Sequence, residues 1–297
     1  MNRILALILV GVAGVMWASS GVAVQDLFSH SNRSAMDLTN IRMILAGLIL
    51  FVITYFKSGM KLNFSIFIEK PHLLLETALY GIIGIALMLF TYFHAISFGG
   101  AAATTVIIYA CPAMVVIFDS IYYKRWPSRG EVIAVILAMS GVLLLVTGGN
   151  LSKLMVPLPC ILWSLLSGTF LAFSAIFPKH LFATRVDQYF LTSIGMLIGG
   201  LFTFIFIDEL NWMSFFEAEI IFDMFWIIII GTVISFLLFN AALIYLTPEE
   251  ASVTATTEPI ASVIISYFVF GTTFGLIESI GIILVILAII TPIFIHS

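Results

Sequence analysis

Long apolar runs alternate with short polar breaks along the chain. Reading each run to its nearest charge, Gly, Pro or Asn gives spans at about 4–24, 38–56, 73–97, 101–122 and 131–148, then 157–177, 188–207, 224–246, 250–270 and 277–295. Each is close to the roughly 20 residues that cross a hydrocarbon core about 30 Å thick at 1.5 Å rise per residue. The pattern predicts an all-α polytopic membrane protein with ten transmembrane helices. The connections 97–101 and 246–250 are short enough to make their flanking helices antiparallel neighbours. The first run, Ile4 to Val24, follows Arg3 and outruns the roughly 7–15 apolar residues of a signal peptide, so it reads as a retained span.

Composition agrees with lipid as the surrounding solvent. The chain is 62% hydrophobic and 9% charged, whereas soluble domains carry about 25% charged residues. Little chain is left for a soluble domain. The net charge of −4 and the scattered basic residues give no footprint for nucleic acid. Cys111 and Cys160 fall inside apolar runs and read as small buried hydrophobes, not a disulfide framework.

Of the twelve Lys and Arg, nine fall on the side of the amino terminus: Arg3, Lys57, Lys61, Lys70, Lys124, Arg125, Arg129, Lys179 and Arg185. Arg33 and Lys153 fall on the other side, and Arg42 lies within the second span. The positive-inside rule then puts both termini in the cytoplasm of a multi-pass plasma-membrane protein. Asp208, Glu209, Glu217, Glu219 and Asp223 fall outside and read as a solvated loop.

Sliding the chain on itself gives a match near an offset of 147. Ala110-Cys111-Pro112-Ala113 lies over Thr257-Glu258-Pro259-Ile260, Glu131 over Glu278 and, one residue off, Trp17 over Trp163. Two repeats are expected, residues 1–149 and 150–297, each with five spans. Five is odd, so the copies cross the membrane in opposite senses, an arrangement of secondary transporters whose site lies near the midplane. Pro112 and Pro259 both fall near the bilayer centre as candidate helix kinks, because a mid-span Pro removes a backbone hydrogen bond. Proline is also common in membrane helices without a mechanical role.

The ten spans in two halves, Trp17 with nearby Gly21, Arg42 in span two, and the Pro of spans four and nine resemble the EamA-type family of drug/metabolite transporters. Thr257-Glu258-Pro259 is similar to the Glu-Pro that opens that family's last long motif. The acidic residue that usually follows this helix is replaced here by Thr272, and its first-half counterpart by Lys124 or Arg125. The resemblance implies movement of a small metabolite, such as an amino acid, sugar or drug-like compound, coupled to ions, to an exchanged solute or to nothing.

A charge at membrane depth costs at least roughly 2.5–3.5 kcal/mol on insertion scales, so each deep ionisable residue is a candidate. Arg42, one turn inside the outer edge, reads as a snorkelling side chain in preference to a substrate contact. Asp119 beside Lys124 and Arg125 reads as an interfacial pair, and Glu76, Glu131 and Glu278 as acids at helix starts that complement the helix dipole. Glu258 stands out, roughly 12–14 Å below the cytoplasmic boundary and on one face with Thr254 and Ser262 at i±4. It is either a structural, hydrogen-bonded acid or part of the site, where it could exchange a proton or meet a substrate amine.

The candidate substrate-binding set is Trp17, Tyr92, His94, Tyr109, Trp163, Asn240, Thr254 and Glu258. Trp17, Tyr92, Tyr109 and Trp163 lie deep enough to face a cavity, though such aromatics also fill membrane cores. Asn240 needs a partner in a dry setting. His94 could equally cap or pack, and without a second His or Cys nearby in sequence it has no companions for a metal site. No cofactor is expected. His-Glu-x-x-His, Gly-x-Gly-Asp and Gly-x-Ser-Gly are absent from the sequence, which disfavours an intramembrane enzyme. The function expected is secondary transport of a small solute, with export the expected direction and protons a candidate partner. A receptor or scaffold without transport is the alternative.

Overall fold

A computed structural model describes residues 2–31, 33–58, 60–111, 114, 116, 120, 124, 126–177, 181, 187–207, 212–243, 245–246 and 248–294. Pro112, Asp119, Arg125, Lys179, Arg185, Asp208 and Glu209 lie outside the described residues. Among those described, every regular element is a helix. Six stretches are long and apolar enough to cross a membrane: Arg3–His30, Ala35–Lys57, His72–Ile108, Arg129–Thr147, Gln188–Phe206 and Ile221–Ala242. Leu158–Ser174, Thr257–Phe270 and Leu276–Thr291 are shorter apolar helices. The chain is a polytopic membrane protein.

Helix α1 (Arg3–His30) opens where the Asn2 side chain accepts from the Leu5 amide and runs beyond the Val24 expected from the apolar run. It is followed by α2 (Ala35–Ser58) and by α3 (Met60–Glu69), a helix where the apolar pattern gave only a loop. At about 15 Å, α3 is too short to cross. Its Phe64 and Phe67 instead pack on Phe190, with ring centroids 5.2 and 5.8 Å away, and that aromatic anchoring orders the segment.

Helix α4 (His72–Leu79) passes through a π-helical segment, Tyr80–Leu87, into α5 (Met88–Ile108). The continuity is only nominal, because Gly100 has φ +77°. The Tyr92 and Thr105 hydroxyls are 3.1 Å apart, whereas thirteen residues along a straight helix would separate them by about 20 Å. The chain therefore doubles back at Gly100, a backbone conformation that costs glycine little. The Gln25 side chain accepts from the Ala101 amide at 2.7 Å and so caps the returning helix.

Helix α6 (Arg129–Thr147) begins with a capping box between Ser128 and Glu131 and ends at Gly148, φ +57°. Helix α7 (Leu158–Ile176) opens behind Pro157, and α8 (Gln188–Thr203) is capped by Asp187. Helix α9 (Ile221–Phe225) passes through a second π-helical segment, Trp226–Ile234, into α10 (Ser235–Leu243). Helices α11 (Pro248–Ala255) and α12 (Thr257–Phe270) are separated at Thr256. Helix α13 (Leu276–Phe294) starts with the Glu278 carboxylate accepting from the Gly275 amide.

The two largest buried cores among the described residues join most of these helices. One joins α1, α2, the Tyr80–Phe93 stretch, α8 and residues 215–233; the other joins Ala103–Ala110, α6, Val156–Ile161 and α13. Each draws on both halves of the sequence. Lipid offers no hydrophobic drive between helices, so close backbone contact does the work. Helix α6 meets α13 at Gly141 and Gly281, where a methyl group on Gly281 would lie 2.6 Å from the Gly141 carbonyl oxygen.

The acidic segment before Asp223 is not simply solvated in its described part. Phe215, Ile220 and Met224 are buried in the first core. Arg33 clamps the segment by donating to the Ser214 carbonyl at 3.1 Å and to Glu217 at 3.2 Å, with its guanidinium 5.4 Å from the Phe215 ring centre. The acidic residues mask the apolar ones between them, and burial of the latter decides the outcome.

Candidate substrate-binding site

The site begins with a missing amide hydrogen. Pro259, the third residue of α12, cannot donate to the Ala255 carbonyl, and its ring crowds that group. The helix breaks at Thr256, φ −64° and ψ −10°, three residues before the proline. The break lets another element reach in. The Tyr109 hydroxyl donates to Glu258 Oε2 at 2.7 Å and lies 3.3 Å from the Ala255 carbonyl oxygen. Tyr109 itself, φ −70° and ψ +1°, ends α5. Thr257 ties the new helix to α1 by donating to the Gly11 carbonyl at 3.2 Å. Gly14 lets α12 start this close, since a methyl group there would strike Thr257.

A polar row leads away from Glu258. Thr105, one turn before Tyr109 on the same face, lies 3.4 Å from the Ser262 hydroxyl and 3.1 Å from that of Tyr92. Tyr92, Tyr109, Cys111 and Glu258 are each only partly buried.

Arg42 faces the same group of residues, and the snorkelling expectation fails. Arg42 is only 5% exposed. Its Nε donates to the Thr232 hydroxyl at 2.8 Å, its Nη2 to the Gly231 carbonyl at 3.2 Å, and its guanidinium sits 5.2 Å from the Phe93 ring centre. Hydrogen bonds from a charged donor contribute about 1.5–3 kcal/mol each and a desolvated cation–π contact about 2 kcal/mol. Together they outweigh an insertion cost of roughly 2.5–3.5 kcal/mol. The π-helical geometry of Trp226–Ile234 presents the Gly231 carbonyl to Arg42, while Thr232 donates to the Ile227 carbonyl at 2.8 Å. Arg42 lies within electrostatic range of Tyr92 and Glu258 without forming an ion pair with the acid.

The other candidates are dispersed. Trp17 packs against Phe236 and Phe239, at 5.7 and 5.2 Å between ring centres. His94 and Trp163 meet edge to face at 4.7 Å, and His94 also contacts Phe90 and Phe98. Neither shares a hydrogen bond or ring contact with the Tyr109–Glu258 pair among the described residues. Asn240 donates to the Phe236 carbonyl and Thr254 to that of Glu250, each within its own helix. Pro112 lies outside the described residues. Sequence reasoning missed Thr105, Ser262 as a partner of the first half, and Arg42 as a buried cation. The i, i+4 spacing of Thr105 and Tyr109 in an apolar span was the available signal.

A separate cavity of about 490 Å³ is lined by Gln25, Gly99–Gly100, Met155–Pro157, Thr272–Gly275 and Glu278, among others. Thr105, Tyr109 and Glu258 are not in its walls.

Comparison with known proteins agrees with this architecture. The chain is 28% identical over 279 residues to the uncharacterized inner membrane transporter YicL of Salmonella typhimurium, covering 94% of this chain and 92% of that protein. A protein of known crystal structure superposes with a TM-score of 0.64 at 14% identity, over 97% of this chain and 96% of its own, which marks a shared fold. The model of the EamA-like transporter family matches residues 4–147 and 158–293. The chain therefore belongs to the EamA-like transporter family.

Proposed function

We propose that this membrane transporter is a secondary transporter working by alternating access, built from inverted repeats at residues 1–149 and 150–297, with Glu258 at its centre. One observation carries the reading. Tyr109 and Thr256, 147 residues apart, both interrupt their helices, and the hydroxyl of the first reaches the carboxylate just beyond the second. Interrupted helices that meet at membrane depth are where transporters expose polar groups to a solute.

Other local features recur at the same offset. The π-helical segments Tyr80–Leu87 and Trp226–Ile234 begin 146 residues apart and end 147 apart. The Ser128–Glu131 cap is matched by Gly275–Glu278, again 147 residues on. Copies with five spans each run in opposite senses, and the shared cores interlock them. Tyr92, Tyr109, Arg42 and Glu258 would face the solute. His94 and Trp163 would support the wall.

Movement of solute is the direct test. The purified protein, reconstituted in sealed vesicles, is offered a defined library of amino acids, amines, sugars and nucleosides. A transporter shifts at least one compound across the bilayer, and the sidedness of the assay separates export from import. Binding without movement would favour a receptor or scaffold, and chemical conversion an enzyme.

A further inference from the structure

The transporter reading leaves open how a proton reaches Glu258. We propose that a seam of hydroxyls between α5 and α12, made by Thr105, Ser262 and Ser266, carries protons between the cavity at one end of the bundle and the Glu258 carboxylate. The proposal rests on Glu258 as a working residue and adds the route that serves it.

The returning stretch of α5 and helix α12 pack antiparallel. Tyr109 meets Glu258 and, one turn back on the first helix and one turn on along the second, Thr105 meets Ser262 at 3.4 Å. The same register carries on to Ala101 and Ser266, one turn further. Both members of that last pair adjoin the cavity wall. The Ala101 amide donates to Gln25, and the Ser266 carbonyl accepts from the Thr272 amide at 3.4 Å; Gln25 and Thr272 line the cavity. Gln25 lies near the far end of α1, so the cavity sits at the end of the bundle opposite Arg3, the outer end by the division of basic residues.

These hydroxyls behave unlike most others in the bundle. A buried Ser or Thr in a helix ordinarily donates to the carbonyl three or four residues back, as Thr39, Thr54, Thr77 and Thr91 do here. Among the described residues, Thr105, Ser262 and Ser266 do not. All three are buried, Thr105 shares its bonds with Ser262 and Tyr92, and the Ser266 hydroxyl has no partner. A hydroxyl released from its backbone can accept a proton on one side and give up its own on the other. Successive turns set such groups about 5–6 Å apart, a gap that one water closes with two bonds of about 2.8 Å. The unpartnered Ser266 Oγ offers water from the cavity a bond that the protein leaves unmade. From there the proton passes by Ser262 and Thr105 to the carboxylate. The other titratable or charged groups within electrostatic range of Glu258 are Tyr92, Tyr109, Cys111 and Arg42, and α1 meets the start of α12 at Gly11 and Gly14. Groups of those four kinds ordinarily titrate at about pH 8.5 or above, which leaves the carboxyl to exchange the proton.

The test is the rate at which Glu258 takes up a proton after acid is released on one side of sealed vesicles that hold the protein in one orientation. Uptake is followed by the infrared carboxyl band that Glu258→Gln removes. Acid on the cavity side should protonate wild type, and Ser266→Ala and Thr105→Val should each slow that step at least about tenfold. Ser266→Ala should leave Tm unchanged, because the lost hydroxyl holds no partner within the protein. Thr105→Ser returns the hydroxyl and should return the rate, which a role in packing alone would not do. Should one of the two hydroxyl-free variants fail to fold, the other decides. The proposal is overturned if Glu258 takes no proton from the cavity side, if a folded variant without the Ser266 or Thr105 hydroxyl is slowed less than about tenfold, or if Thr105→Ser is as slow as Thr105→Val. Each of those results leaves the transporter reading intact. Equal solute movement by wild type and Glu258→Gln would instead end the role of Glu258, whatever the route of the proton.

Discussion

Tyr109 closes a helix and supplies the one described hydrogen bond to Glu258, so its hydroxyl is the most informative single atom in the site. Tyr109→Phe keeps the ring and removes the donor. An unsatisfied buried acceptor costs about 1–3 kcal/mol, so the apparent affinity for solute should fall by about 5- to 150-fold in a concentration series of transport rates. Gly21 gives a second residue-scale test. A methyl group there would run into the Tyr92 hydroxyl, so Gly21→Ala should displace Tyr92 from Thr105 and slow transport several-fold while the protein still inserts. An acid with no easy route to the interface marked Glu258 in the sequence. Arg42 was harder to read, because one turn inside the edge a long side chain can either reach water or turn inward. Only the Thr232 hydroxyl and the Gly231 carbonyl, nearly two hundred residues away along the chain, decide which.

At the scale of elements, the break at Thr256 follows from Pro259, and Pro259→Ala would return the missing amide to the Ala255 carbonyl. This substitution should join α11 to α12, raise thermal stability in detergent and lower the transport rate, because the continuous helix closes over the site. Gly281→Val tests the opposite kind of contact. The new side chain would press on the Gly141 carbonyl and the Leu145 amide, and overpacking of this kind costs about 1–3 kcal/mol, read as a lower Tm. Apolar run lengths were enough to anticipate a polytopic membrane protein, and the short 97–101 connection anticipated the doubling back at Gly100. The π-helical segments and α3 had no such signature. A uniformly apolar run such as Trp226–Ile234 reads the same at either helical pitch, and α3 depends on Phe190, far along the chain, to anchor its aromatic face.

For the whole molecule, the proposed offset of 147 rests on prolines and acids, which are rare enough in such a chain to align. The interlocking of the halves was not legible, since nothing local says that Gly141 will meet Gly281 or that Tyr109 will reach Glu258. The nine-to-two division of basic residues predicts both termini inside the cell. A membrane-impermeant thiol reagent added from outside should modify a cysteine placed at Lys153 and spare one at Lys179, on a background with Cys111 and Cys160 replaced; the reverse pattern would invert the topology.

The central claim is that Glu258 works in transport and is not merely accommodated in the bundle. Glu258→Gln keeps the size of the side chain and a carbonyl to accept from Tyr109, but it removes both the charge and the titrating proton. The decisive measurement is movement of the library compound that wild type transports, in sealed vesicles at several pH values, with wild type and Glu258→Gln matched for protein in the membrane. The account predicts that the variant inserts normally while its rate falls at least about tenfold or its pH dependence disappears. Equal rates with an unchanged pH profile would contradict it and leave Glu258 a structural residue.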